Sequence, residues 1–301
     1  MVAQQFIDQR FPVRRVLKHT DLSASAYYYK RKDGVRGAAV SKYTYTVDGQ
    51  KVCNSVVVKQ IETELEREFV DYGYIKVTHW LRDTYKYKIN FKKVYRLMKV
   101  NALLYGKRPA KHQGRNWVKD LVPEPEETFH YLEFDIKYIY IHGLRRNALL
   151  LTVIDVDSRL TLAQMLQMSI KKEDVVALFT YIKQNFTLPQ KVTVRSDNGS
   201  QFVAQLLRSQ LIEMKINQEF TKPATPEQNA HIESYHSIVE RTICQKYQFG
   251  SLKEANETFD KFQKFYNHER VHSGIGYTSP MKYLKAKGFT ISNPDFTFTT
   301  A

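Results

Sequence analysis

The sequence predicts an α/β protein in which a mixed five-stranded sheet with flanking helices follows an all-α, basic amino-terminal region. Three observations predict it. Up to residue 106 the apolar residues recur mostly at helical spacing, in short segments broken by Asp, Asn and Gly. From Tyr131 the pattern changes to alternation, and then to the almost continuous apolar run Ala148 to Val156 that a central strand requires. Three strands are then followed by helix, strand, helix, strand, helix, the order of a mixed α/β sheet.

The first helical pair lies in residues 11–32. Val13, Val16 and Leu17 form a stripe, Thr20-Asp21 breaks it, and Ser23-Ala24-Ser25 starts a second helix carrying Tyr27, Tyr28 and Tyr29. Lys30, Arg31 and Lys32 follow, so this helix-turn-helix has an aromatic, basic second helix suited to DNA. Asp33 to Lys51 reads as a loop or a marginal hairpin. Val57 to Val70 is helical by period, with Ile61, Leu65 and Phe69 on one face, and Ile75, His79 and Leu81 mark a further helix. Asn90 caps a third, in which Phe91, Val94, Tyr95, Leu97 and Met98 pack while Lys92, Lys93, Arg96 and Lys99 face out as DNA contacts. Lys107 to Glu127, rich in charge, Pro and Gly, reads as a linker.

In the first strand Leu132, Phe134 and Ile136 alternate with Glu133, Asp135 and Lys137, so Asp135 lies on the face opposite the apolar set. Asp157-Ser158-Arg159 turns the second strand into a third, Leu160 to Leu166, and Val175 to Ile182 is helical. Val192 to Arg195 is a short strand that delivers Asp197 to its end, Asn198-Gly199 turns, and Phe202 to Leu211 is helical. After a strand near Asn217 to Phe220, a helix opens at Thr225, with Pro226 in its first turn and Gln228 closing a capping box. Its stripe of Tyr235, Ile238, Val239 and Ile243 lies opposite Glu233, which shares its face with Asn229, His236, Ser237 and Glu240.

Charge divides along the same line. The net charge is +15, and residues 1–120 hold 25 Lys/Arg against 11 Asp/Glu, a net of +14, whereas residues 121–250 come to −1. The first part suits phosphates and the second suits gathered carboxylates. No 18-residue apolar run and no secretory signal pattern is present, which argues against a membrane protein. Cys53 and Cys244 match no zinc spacing, and a reduced, intracellular protein is expected.

Asp135, Asp197 and Glu233, brought to one edge of such a sheet, form a set of hard oxygen ligands for Mg²⁺ or Mn²⁺, two ions of which activate a hydroxyl and stabilise a leaving oxygen. Asp155 competes with Asp135, but it introduces the Asp157-Ser158-Arg159 turn and has a structural role there.

The three acids, with 35 residues between the last two, resemble the DDE triad of retroviral integrases and related transposases. More narrowly, the chain resembles the integrase-like second-frame product of the insertion-sequence family three transposases. Ser196 to Phe202, Gln228-Asn229-Ala230 leading to Glu233-Ser234, Tyr266 to Arg270, and Gly276 to Pro280 carry that resemblance in order and spacing. It implies a ribonuclease-H-like core, a polynucleotidyl transferase that nicks element ends and joins the 3′-hydroxyl to target DNA. It implies metal ligands at Asp135, Asp197 and Glu233, a site shaped by Asn198, Gly199, Gln201 and Asn229, and Arg270 near DNA. It also implies a homo-oligomer on DNA, an upstream-frame (OrfA-type) partner or fusion, and a bacterial cytoplasmic, nucleoid-associated location. Lys137, where many relatives carry a small hydroxyl residue, and Glu240, where a basic DNA contact is frequent, depart from the pattern. The expected domains are 1–52 (helix-turn-helix segment and loop), 53–106 (second helical DNA-binding unit), 107–127 (linker), 128–250 (catalytic core) and 251–301 (helical extension). The other readings are a non-catalytic DNA-binding protein and a ribonuclease-H-type nuclease without strand transfer.

Overall fold

The computed structural model describes residues 2–29, 40–105, 124–222 and 226–291, with only the backbone described at Pro226 and Glu227. Lys30, Arg31, most of the expected linker and Thr225 lie outside these. The chain forms two compact units, 1–42 and 43–301.

The first unit holds α1 (Val2–Asp8), α2 (Val13–His19) and α3 (Ala24–Tyr27). Val16 and Leu17 are buried as their spacing requires. Ser23 caps α3 by accepting the Ala26 N–H at 3.1 Å. The aromatic second helix is shorter than expected: α3 is a single turn, and Tyr28 and Tyr29 stand exposed beyond it.

The second unit opens with the hairpin β1 (Tyr43–Tyr45) and β2 (Lys51–Cys53), followed by α4 (Asn54–Glu66), α5 (Tyr74–Tyr85) and α6 (Phe91–Val100). Asn90 caps α6, accepting the Lys93 N–H at 2.9 Å. Helix α4 stops short of the expected Val70, and Phe69 takes a left-handed φ of 65°. That conformation is unusual for an aromatic residue. It lets the Phe69 ring meet Phe262 at 5.4 Å and Phe265 at 5.9 Å, so the three helices share one apolar core with the sheet domain. In α6, Val94, Leu97 and Met98 are buried, but Phe91 and Tyr95 are 50% and 41% exposed, because the stripe is narrower than expected.

The sheet is built from β3 (Tyr131–Ile141), β4 (Arg146–Asp155), β5 (Thr161–Gln167), β6 (Val192–Ser196) and β7 (Ile216–Phe220), in the order β5-β4-β3-β6-β7. β3 runs antiparallel to β4 and parallel to β6, which is parallel to β7. This is the ribonuclease-H-like mixed sheet the sequence implies. On one face Leu132, Phe134, Val153 and Val194 pack with α7 (Lys172–Asn185), α8 (Gln205–Glu213) and Leu284 of α11 (Pro280–Ala286). On the other, Ile139, Ile141 and Leu150 pack with α9 (Ala230–Val239), α10 (Leu252–His268) and the α4–α6 group. Helix α8 begins at Gln205, after Phe202, whose buried ring instead packs 4.8 Å from Phe134.

Gly143, in the turn between β3 and β4, donates its N–H to Phe249 O at 3.1 Å. A Cβ there would stand 1.9 Å from the Gly250 carbonyl oxygen, a backbone atom with nowhere to go. Gly143→Ala is expected to cost about 1–3 kcal/mol in urea unfolding by overpacking; a loss under ~0.5 kcal/mol would place that contact elsewhere.

Candidate active site

Asp135 sits in the middle of β3, opposite Thr152, on the face away from Leu132 and Phe134. Its Oδ1 accepts the Ile136 N–H at 2.8 Å, and its Oδ2 lies 3.6 Å from His236 Nδ1. That histidine is no counter-ion: burial and Lys137 push its pKa down to about 3. Burial, then the fields of Asp197 and Glu233, push the Asp135 carboxyl up to about 7. Its other two neighbours in charge are therefore the two acids singled out with it.

Asp197 follows the last residue of β6, which runs parallel beside β3. Its Oδ1 accepts the Gly199 N–H at 2.9 Å, an Asx turn that fixes the carboxylate. A Cβ on Gly199 would come within 3.1 Å of that same Oδ1, so the glycine leaves the acid its room. The Asn198 side chain donates to Thr221 O at 3.0 Å and ties this loop to the end of β7.

Glu233 is exposed in the first turn of α9. The α-helix itself starts at Ala230, preceded by a 3₁₀ turn over Pro226–Asn229. Thr225, the other half of the expected capping box, lies outside the described residues. Gln228 Oε1 accepts the Lys222 N–H at 2.6 Å and its carbonyl accepts from Arg195 Nη1 at 3.0 Å. The face of Glu233 is also less open than expected, since Asn229 and His236 are buried.

What holds α9 against β3 is a residue that sequence reasoning passed over. Glu133 is fully buried, and its Oε2 accepts the first-turn N–H groups of His231 at 3.0 Å and Ile232 at 2.8 Å. A carboxylate at a helix N-terminus meets orphan donors and the positive end of the dipole together. Burial still dominates and pushes its pKa up to about 7, against the two amides and the fields of Arg195 and Arg159. Alternation puts Glu133 on the face of Asp135, and a second acid on the inward face of a central strand was the available signal.

Asp155 has the turn role its position suggests. It is fully buried, with Oδ1 accepting the Phe129 N–H at 3.0 Å and Oδ2 the Ser158 N–H at 2.7 Å. The two departures from the family pattern meet each other: Lys137 Nζ is 2.9 Å from Glu240 Oε2.

The expected DNA contacts divide. Lys92 and Lys99 are exposed on α6, and Arg96 is half-buried. Lys93 does not face out; its ammonium donates to the Tyr43 carbonyl and ties α6 to β1. Asn198 is exposed and Gln201 half-buried beside Asp197, whereas Asn229 is buried at the start of α9. Arg270 is not a surface residue: it is fully buried and pairs with Asp71 Oδ1 at 2.6 Å.

Among the described residues no group of three His, Cys, Asp or Glu side chains is already close enough to hold an ion. The donor set nevertheless fits a hard divalent cation. Asp135 feels both Asp197 and Glu233, which add to burial in raising its pKa to about 7, and carboxylate oxygens are the ligands such a cation takes.

Comparison with known proteins agrees with this architecture. Residues 125–226 and 214–280 each match an integrase core domain model, and residues 55–112 match an HTH-like domain model. A 39.2 kDa protein of insertion element IS476 from Xanthomonas euvesicatoria is 25% identical over 281 residues, 91% of this chain and 76% of that one. The transposase of insertion sequence IS904 from Lactococcus lactis is 25% identical over 250 residues, 78% of this chain and 96% of that one. The InsD transposase of IS2 from Escherichia coli is 26% identical over 230 residues, 73% of this chain and 75% of that one. Among solved structures, the HTLV-2 integrase catalytic core with magnesium aligns with a TM-score of 0.41 at 12% identity, over 53% of this chain and 99% of that one. The chain belongs to the insertion-sequence transposases built around an integrase core.

Proposed function

We propose that this DNA transposase nicks the ends of its element and joins the freed 3′-hydroxyl to target DNA, with Asp135, Asp197 and Glu233 as the ligands of magnesium or manganese, two ions in the reacting complex. The observation that carries this reading is the arrangement of three acids: Asp135 within β3, Asp197 just after the parallel neighbour β6, and Glu233 in the first turn of α9. Burial and the two further acids raise the Asp135 pKa to about 7 beside a neutral histidine, so the arrangement calls for a positive charge. Bound divalent ions would supply that charge, make the attacking hydroxyl a better nucleophile and stabilise the leaving oxygen.

The chain's own part is placement. The Gly199 amide fixes the Asp197 carboxylate, and Glu133 holds the first turn of the helix that carries Glu233. Asn198, Gly199, Gln201 and Asn229 shape the rim, with Arg270 set deeper. Lys92, Lys93, Arg96 and Lys99 stand in the HTH-like region, where Lys92 and Lys99 offer exposed charge to phosphates. Lys30 and Arg31, outside the described residues, are proposed as further DNA contacts. Domain limits near 52, 106, 127 and 250, a homo-oligomer on DNA, an upstream-frame OrfA-type partner and work at the bacterial nucleoid in the cytoplasm complete the reading. No described helix is long and apolar enough to cross a membrane.

The test incubates the purified chain, alone and with the upstream-frame product, with duplexes of the element's ends. Joined strands are expected with Mg²⁺ or Mn²⁺ and none after chelation with EDTA. Binding without chemistry in every condition would favour a non-catalytic DNA-binding protein, and cleavage without joining a nuclease.

A further inference from the structure

Beside the acids, a cleft of about 260 Å³ opens between α5, α9 and the segment after α10. Lys76, Arg159, Arg241 and Arg270 line it, with the imidazoles of His231 and His272, and no carboxylate does. Ser234, the residue after Glu233, belongs to its α9 wall. Asp71 stands behind the cleft and meets Arg270 at 2.6 Å and Arg241 at 3.1 Å, while Arg159 feels the carboxyl groups of Glu133, Asp155 and Asp157 behind it. Both histidines are held neutral by burial first and by neighbouring arginines after it.

At Arg270 donors and positive charge are in surplus. Arg270 is fully buried, and among the described residues its Nη2 is paired while its Nε and Nη1 have no acceptor. Buried donors without acceptors are costly, and a guanidinium presents its N–H groups in a fork that matches the oxygens of a phosphate. Lys76 feels the same surplus, its ammonium pushed down to about 7 by burial, Arg270 and Arg241. A bound anion would lower the repulsion among Lys76, Arg241 and Arg270.

We propose that this cleft is a phosphate-binding site and takes a backbone phosphate of the DNA whose strand is cut at the acids, a proposal that rests on the joining activity above. A phosphate held there would touch the Glu233 helix and α5 of the HTH-like region together. DNA gripped by the helical region would thereby be set in register with the acids.

Lys76 is partly buried, the Lys76→Arg variant controls for its packing, and the full chain serves for the test. Affinity for an element-end duplex is measured as salt is raised, in the parent, Lys76→Gln and Lys76→Arg. The slope of log K against log salt is expected to fall by about one phosphate's worth in Lys76→Gln and to persist in Lys76→Arg. Inorganic phosphate, against chloride of equal ionic strength, is expected to raise the melting temperature of the parent and less so that of Lys76→Gln. An unchanged slope with the phosphate effect lost would make this a free-anion site and overturn the DNA assignment. Neither changing would make the cluster an ion network that only fastens α5 to α9, and the proposal fails. A parent that joins no DNA sinks the functional reading instead, while the phosphate comparison still judges the cleft.

Discussion

Asp135→Asn, Asp197→Asn and Glu233→Gln are each expected to lower metal-dependent strand joining on the order of 10³-fold, from the loss of several kcal/mol of charge stabilisation at the reacting phosphate. The substitutions keep shape and remove charge, so the loss should appear in the joining rate rather than in DNA affinity. Folding should be preserved. For Asp135→Asn a modest gain in melting temperature is expected, since the substitution ends the repulsion from Asp197 and Glu233 in the metal-free chain. Single-turnover joining and thermal unfolding on the same preparations separate the two effects. Full joining by any one of the three variants removes that residue from the site.

Asp155→Asn gives the contrasting result. Its carboxylate takes three hydrogen bonds, from Phe129 N, Ser158 N and Ser158 Oγ, and an amide cannot accept them all in the same geometry. Two acids on neighbouring strands thus divide by partner: Asp155 is satisfied by the fold, whereas Asp135 accepts one amide among the described residues.

That difference is also what the sequence could and could not convey. Period-two alternation places Asp135 on the face away from Leu132 and Phe134, and a strand ending at Ser196 delivers Asp197 beside it; both follow from local pattern. The change of period at Tyr131 likewise marks the sheet. Local pattern fails where a distant partner decides the outcome. Lys93 has the spacing of an exposed base but is drawn to a carbonyl 50 residues away on β1. Arg270, at the end of an amphipathic helix, would be solvated in isolation; Asp71 and Tyr72, 199 and 198 residues earlier, take it into the core. The pairing of Lys137 with Glu240 is of the same kind, since helix α9 must dock on β3 before the two can meet.

Glu133 is the most consequential of these distant contacts, and replacing it tests how the site is held. Glu133→Leu leaves the His231 and Ile232 amides without their acceptor and Arg159 and Arg195 without a nearby buried charge. A stability loss of about 2–4 kcal/mol is expected. The joining rate of the protein that remains folded is expected to fall about 10²-fold, because Glu233 sits one residue beyond the released amides and a small displacement at a reacting centre has that effect. Glu133→Gln keeps an acceptor in place and should recover most of the rate; a purely space-filling role would be met as well by Leu as by Gln. The pH dependence gives an independent sign. Burial raises the Glu133 pKa from 4.5 to about 7 on folding, so between those values the folded chain holds a proton that the unfolded chain has released. This group's contribution to stability therefore declines as pH rises through that window. Glu133→Gln should flatten the decline between pH 4.5 and 7, as read by urea unfolding at stepped pH. An unaltered slope, together with a Leu variant that joins strands at the parent's rate, would mean that α9 is held against β3 by its apolar face alone.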